Sequence, residues 1–162
     1  MAQDDPLATI EAKREQIEQI MAEVKNVPER RQDGLLFRVD ELARELGAQM
    51  LAYPATGAAT NIPAGESADG AQAGFAAHLK WFQGFLIERY QNLQQRIRQE
   101  HERFDEFDES TEAAISRAFQ QDLRQVVAAH TDLLVKLLEK GEMIGLVDEG
   151  LRTRIEQTMA LA

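Results

Sequence analysis

The chain of 162 residues contains no cysteine. Disulfides, thiolate nucleophiles, iron–sulfur clusters and thiolate-bound zinc are thereby excluded. Long apolar runs are also missing. A bilayer span needs about 18 or more consecutive apolar residues, and none is present. The opening "MAQDDPLATIEAKREQ" is acidic and polar, without the apolar stretch of a secretory signal. A soluble, cytoplasmic protein is expected. Cations are outnumbered: 18 Lys and Arg stand against 28 Asp and Glu, for a net charge of −10. Such a surface repels phosphate backbones and anionic lipid, so neither nucleic acid nor a membrane is expected as partner.

Catalytic signatures are lacking too. The chain has no HExxH, no G-x-G-x-x-G, no Walker-type GK[ST] and no G-x-S-x-G. A carboxylate-bridged di-iron bundle requires a Glu three residues before a metal-binding His. Here Phe75, Arg98 and Val127 hold those positions before His78, His101 and His130. The acidic run "RQEHERFDEFDES" lacks the spaced ligands and glycine turn of a calcium loop. It reads as a charged helix end. No catalytic residue, metal or cofactor is assigned.

What is present is helical periodicity. Hydrophobic residues at 44% and charged residues at 28% suit a folded domain, and no convincing strand alternation occurs. Asp5 and Pro6 are fitted to cap and open a first helix over about 6–26, with Ile10, Ile17 and Val24 on one face. Pro28 interrupts it. A second helix, about 28–53, carries Leu35, Val39, Leu42, Leu46 and Met50 at spacings of three and four. The stretch 54–72 is rich in Pro, Gly, Ala, Ser and Thr without apolar period, and is expected to be a flexible linker, disordered or ordering on a partner. A third helix spans about 73–107. Asp108, Ser110 or Thr111 can cap a fourth that runs to Lys140, where Gly141 is a C-cap signal. A short fifth helix, about 148–161, uses Leu151, Ile155 and Met159.

The expected fold is all-α: an antiparallel bundle of four long helices with a short C-terminal fifth and heptad-like packing. One bundle domain would combine an N-terminal hairpin (1–53), the linker (54–72) and a second hairpin with the short helix (73–162). The direction of helix 2 relative to helix 3 is left open by the linker's length.

The third helix has a singular first half, "AHLKWFQGFLIERY". At about 100° per residue, its apolar groups span an arc of roughly 180°, against the ≳100° of an ordinary core-facing helix. After Leu93 the arc narrows to one stripe. Trp81, Phe82, Phe85 and Tyr90 are therefore interface candidates, either for neighbouring helices or for a second protomer. Asp122, His78 and His130 lie on or near core stripes and could converge if helices 3 and 4 pair. His101, between Glu100 and Glu102, reads as solvated. Gly84 points away from the arc.

These features favour a non-enzymatic interaction or scaffold module, an acidic bundle that forms a homodimer and binds an unidentified protein partner. The alternative is a binding module for an apolar small molecule or a His-ligated cofactor, with His78, Trp81 and His130 as candidate ligands.

Overall fold

Five α-helices form where the apolar spacing places them, and no strand occurs among the described residues: α1 Pro6–Val24, α2 Glu29–Ala52, α3 Ala68–Arg103, α4 Thr111–Met143 and α5 Glu149–Ala160. The structure is a computed structural model, which describes residues 6–53, 68–143 and 149–160. Asp5 as a cap, the 54–67 part of the expected linker and the 144–148 connection lie outside the described residues, as does the side chain of Met159.

Several boundaries differ from expectation, each for a local reason. Residues 68–72, assigned to the linker for their small side chains, form the first turn of α3. "ADGAQAG" has little apolar period but three alanines, the strongest helix formers. At its other end α3 stops at Arg103 rather than at 107. There Asp105 turns the chain by accepting the Phe107 N–H, and Asp108 does the same for Ser110. Ser110 is the cap of α4: its Oγ accepts the Ala113 N–H. Gly141 does not end α4, which continues to Met143. Gly141 is buried there, so it serves as a small residue inside the helix.

The helices pack as a square with α2 and α3 on one diagonal. α1 lies against α2 and α3, α4 lies against the same two, and α5 rests on α3 and α4. Direction follows from the side-chain pairs. Lys13 meets Glu45, so α1 and α2 are antiparallel. Asp33 and Asp40 on α2 meet Arg96 and Arg89 on α3, which settles the open question: α2 and α3 are antiparallel. Phe37 packs on Phe119 and Gly47 on Leu133, so α2 and α4 run parallel. The end of α2 is closed by Lys140 of α4, whose Nζ donates to the carbonyls of Leu51 and Tyr53. A cation at a helix C-terminus suits the carbonyls left unpaired there.

At roughly 1.5 Å per residue, α3 is about 54 Å long and α1 about 28 Å. α1 therefore covers only the first half of α3. In that half all five helices contribute to one core: Ile10 and Ile17, Val39 to Met50, Phe75 to Ile87, Leu134 and Leu137, Leu151 and Ile155. In the other half only α2, α3 and α4 remain around a smaller cluster of Leu93, Ile97 and Leu123, with Phe37, Phe119, Val126 and Val127 packed on it.

This explains the wide arc on α3. Gly74, His78 and Trp81 face α1: Leu7 fills the space beside Gly74, Arg14 bonds His78, and the Arg14 guanidinium lies 4.7 Å from the Trp81 ring centre. Ile87, on the flank away from Trp81, is buried as well, because α4 and α5 also pack on this helix. Where α1 ends, the same stripe changes from Trp81 and Phe85 to Asn92, Gln95 and Gln99.

Candidate functional site

Four features of the molecule hold polar or apolar groups in places where their chemistry is exceptional: a buried triad, a second polar set, a groove and an exposed tip.

The triad lies where the two hydrophobic clusters meet. Asp40 of α2 is 3% exposed and Arg89 of α3 is 5% exposed. Arg89 binds Asp40 in bidentate fashion, Nε donating to Oδ1 at 2.9 Å and Nη2 to Oδ2 at 2.8 Å. His130 of α4, wholly buried, donates from Nε2 to Asp40 Oδ1 at 2.9 Å. Burial alone pushes the Asp40 carboxyl up. The hydrogen bonds and charges of Arg89 and His130 overcome it and hold the group below its ordinary 3.8. His130 Nδ1 is buried without a hydrogen-bond partner. The carboxylate is saturated with donors, so it is poorly placed to act as a base. Three helices are instead locked into one register.

A second polar set lies farther along α3. Arg96 bridges Asp33 of α2 and Glu100 on its own helix, and its guanidinium lies 5.1 Å from the Phe119 ring centre. Glu100 in turn accepts a 2.7 Å hydrogen bond from Ser116 of α4. The pKa of the Arg96 guanidinium is held above its ordinary value, chiefly by the Asp33 hydrogen bond.

The groove is the lane that α1 would occupy if it were longer. Its volume is about 240 Å³. Its lining is mostly polar: Gln32, Asn92, Gln95 and Gln99 with Glu29, Asp33, Arg89 and Arg96, beside the apolar Leu36, Phe37 and Leu123.

The tip is the α3–α4 turn. Phe107 is 83% exposed and Ile115, on the second turn of α4, is 65% exposed. Phe107 stands in the turn "DEFDES". Its backbone is held by Arg117, whose Nη2 donates to the carbonyls of Asp105, Glu106 and Asp108.

The residues singled out from the sequence are distributed differently. His78 and His130 do not converge. His78 Nδ1 accepts from Arg14 on the α1 seam at 3.2 Å, whereas His130 is bound to Asp40 in the interior. Asp122 is exposed and takes no part. His101 is exposed, as expected. Phe82 and Tyr90 are enclosed by the chain itself, at 0% and 4% exposure. Trp81 and Phe85 stack on each other and on Phe82, half-buried beside α1. The flank considered for a second protomer is thus already partly covered. The ion-pair arginine Arg89, its carboxylate Asp40, and Glu100 went unassigned. A signal existed: taking Phe82 as zero, Arg89 falls within about 20° and Glu100 at about 0°, both in the centre of the apolar stripe. A charge in that place requires a buried partner.

No group of three or more potential metal ligands occurs among the described residues. Comparisons with family models, curated proteins and solved structures give no match to this chain.

Proposed function

We propose that this chain is a non-enzymatic protein–protein interaction module, an acidic helical bundle that associates with itself and through that scaffold with other proteins. The observation that carries the reading is the tip: Phe107 stands 83% exposed on a turn fixed by Arg117. An aromatic ring exposed on a turn of fixed backbone gains from being covered, and its short side chain costs little freedom on binding. Two further observations support it. The buried charged groups Asp40, Arg89 and Glu100 are engaged across helices, which favours a specified register over chemistry. The net charge of −10 keeps non-specific association low, so what association occurs depends on particular surfaces.

Native mass spectrometry of the purified protein tests this reading. A dimer free of additional mass is the expected result. A monomer that retains a small molecule would overturn it in favour of a ligand-binding bundle.

A further inference from the structure

α1 is anchored in the bundle by less than its neighbours are. Ile10 and Ile17 are its buried side chains, whereas α2 buries Val39, Leu42, Ala43, Leu46 and Met50. It meets α2 through the turn 25–28, where Gln32 of α2 donates to the carbonyls of Val24 and Val27. Along its length Lys13 pairs with Glu45 of α2, and Arg14 bonds His78 of α3. The Glu45 side chain is 53% exposed, so solvent screens the first of these contacts. The second is a cluster. Arg14 reaches Glu18 Oε1 at 2.7 Å, His78 Nδ1 at 3.2 Å and the Trp81 ring at once.

A guanidinium donates hydrogen bonds and never accepts them. The Arg14 contact therefore requires an unprotonated His78 Nδ1. A proton added there sets donor against donor and cation against cation, so the bond does not survive in the imidazolium. The charges that act on the ring, Arg14, Glu11 and Glu18, all belong to α1. Its neighbours one turn away on α3, Gly74, Phe75, Trp81 and Phe82, are uncharged. Burial and then Arg14 disfavour the proton, and the two glutamates favour it. Glu18 is already engaged by Arg14 Nε, so a protonated ring competes with Arg14 for that carboxylate.

We propose that α1 is a pH-sensitive cover: protonation of His78 expels Arg14 from the α1–α3 seam, and α1 opens about its turn with α2, uncovering the Trp81–Phe85 flank. Opening is local because α2, α3 and α4 are joined without α1, through the Asp40–Arg89–His130 bonds and the Asp33–Arg96 pair. The opened state is a minor one, since Ile10 and Ile17 leave the core in it. Its His78 meets water and takes a proton more readily than in the closed seam, so acid raises its population. The device does not depend on the Phe107 tip or on what binds there.

Native-state hydrogen exchange on the full chain at about pH 7.5 and pH 5 is the test, with amide rates corrected for the intrinsic effect of pH. In the wild type, protection of the α1 amides is expected to fall several-fold at the lower pH relative to that of α3 and α4. His78→Gln keeps an oxygen to accept from Arg14 but takes up no proton, and its relative α1 protection is expected to stay constant. Arg14→Met removes the guanidinium and keeps an apolar stem. That variant is expected to show weaker α1 protection already at the higher pH and a smaller further loss in acid. A fall of equal size in His78→Gln would overturn the proposal by moving the sensitivity to another group. An undiminished acid response in Arg14→Met would remove Arg14 as the group displaced. Parallel loss in α1, α3 and α4 would overturn the cover, because α1 would then open only with the whole bundle. Unchanged α1 protection in the wild type would show that His78 does not act on the seam.

Discussion

Glycine shows at single-residue scale how environment decides the sign of a substitution. Gly84 sits inside α3, and a Cβ placed on it meets nothing within 4 Å. Nothing in the structure explains its presence. Gly84→Ala is expected to stabilise by about 0.5–1 kcal/mol through backbone entropy alone, read as a rise of roughly 1–4 °C in the melting temperature. At Gly47 the same substitution puts the new carbon 2.5 Å from both terminal methyl carbons of Leu133. The Leu133 side chain must move or the α2–α4 seam open there, and Gly47→Ala is expected to lower the melting temperature. Equal effects at the two sites would contradict the packing described. Asp40 offers a sharper contrast. Asp40→Ala strands a buried guanidinium and is expected to cost about 3–5 kcal/mol, whereas Asp40→Leu combined with Arg89→Met removes both charges and should cost less, the remainder being the buried His130 Nε2 left unpaired in both variants. Urea midpoints of the two variants decide the matter. A double variant as unstable as the single would mean that the pair is required for more than charge compensation. The pairing could not be read from spacing: Asp40 and Arg89 are 49 positions apart, and the α3 stripe marks Arg89 as misplaced without naming its partner.

At the scale of the helix, α3 explains which parts of the fold were legible in the sequence. Its apolar arc was visible because side-chain period and burial coincide over many turns. What covers the arc was not, since α1, α4 and α5 arrive from elsewhere in the chain. The ends of α3 were misplaced where small residues propagate a helix without apolar period and where aspartates end one despite Phe107. The α1–α3 seam also has a pH signature. His78 is held below its ordinary 6.5, first by burial and then by the Arg14 charge, with Glu11 and Glu18 pulling the other way. The folded protein accordingly binds fewer protons at this site than the unfolded chain does. The contribution to stability is complete above pH 6.5 and declines as pH falls from there through the folded-state value. His78→Gln is expected to reduce the loss of stability between about pH 7 and pH 5, measured as the difference in urea midpoint. An identical pH dependence in the variant would remove His78 as its source.

The whole molecule is built in two levels with a polar division between them. Five helices share the larger core, three share the smaller, and the Asp40–Arg89–His130 triad spans the boundary. The all-helical bundle and the antiparallel hairpins were legible because their helices are long and joined by short turns. The diagonal placement of α2 and α3 was not, because their connection contains no apolar pattern. The division makes a prediction about cooperativity. Trp81 packs on the five-helix core, so its fluorescence reports that level alone, while helical circular dichroism reports both. α2, α3 and α4 pass without interruption through the boundary and are tied there by three hydrogen bonds. In the wild type the two thermal transitions should therefore coincide, as two-state behaviour requires. His130→Ala removes one tie and leaves a cavity at the boundary, in a position 0% exposed. The three-helix level, which has fewer buried apolar groups, should then melt first. The ellipticity change would precede the Trp81 signal. Coincident curves in both proteins would mean that the continuous helices, rather than the triad, hold the two levels together.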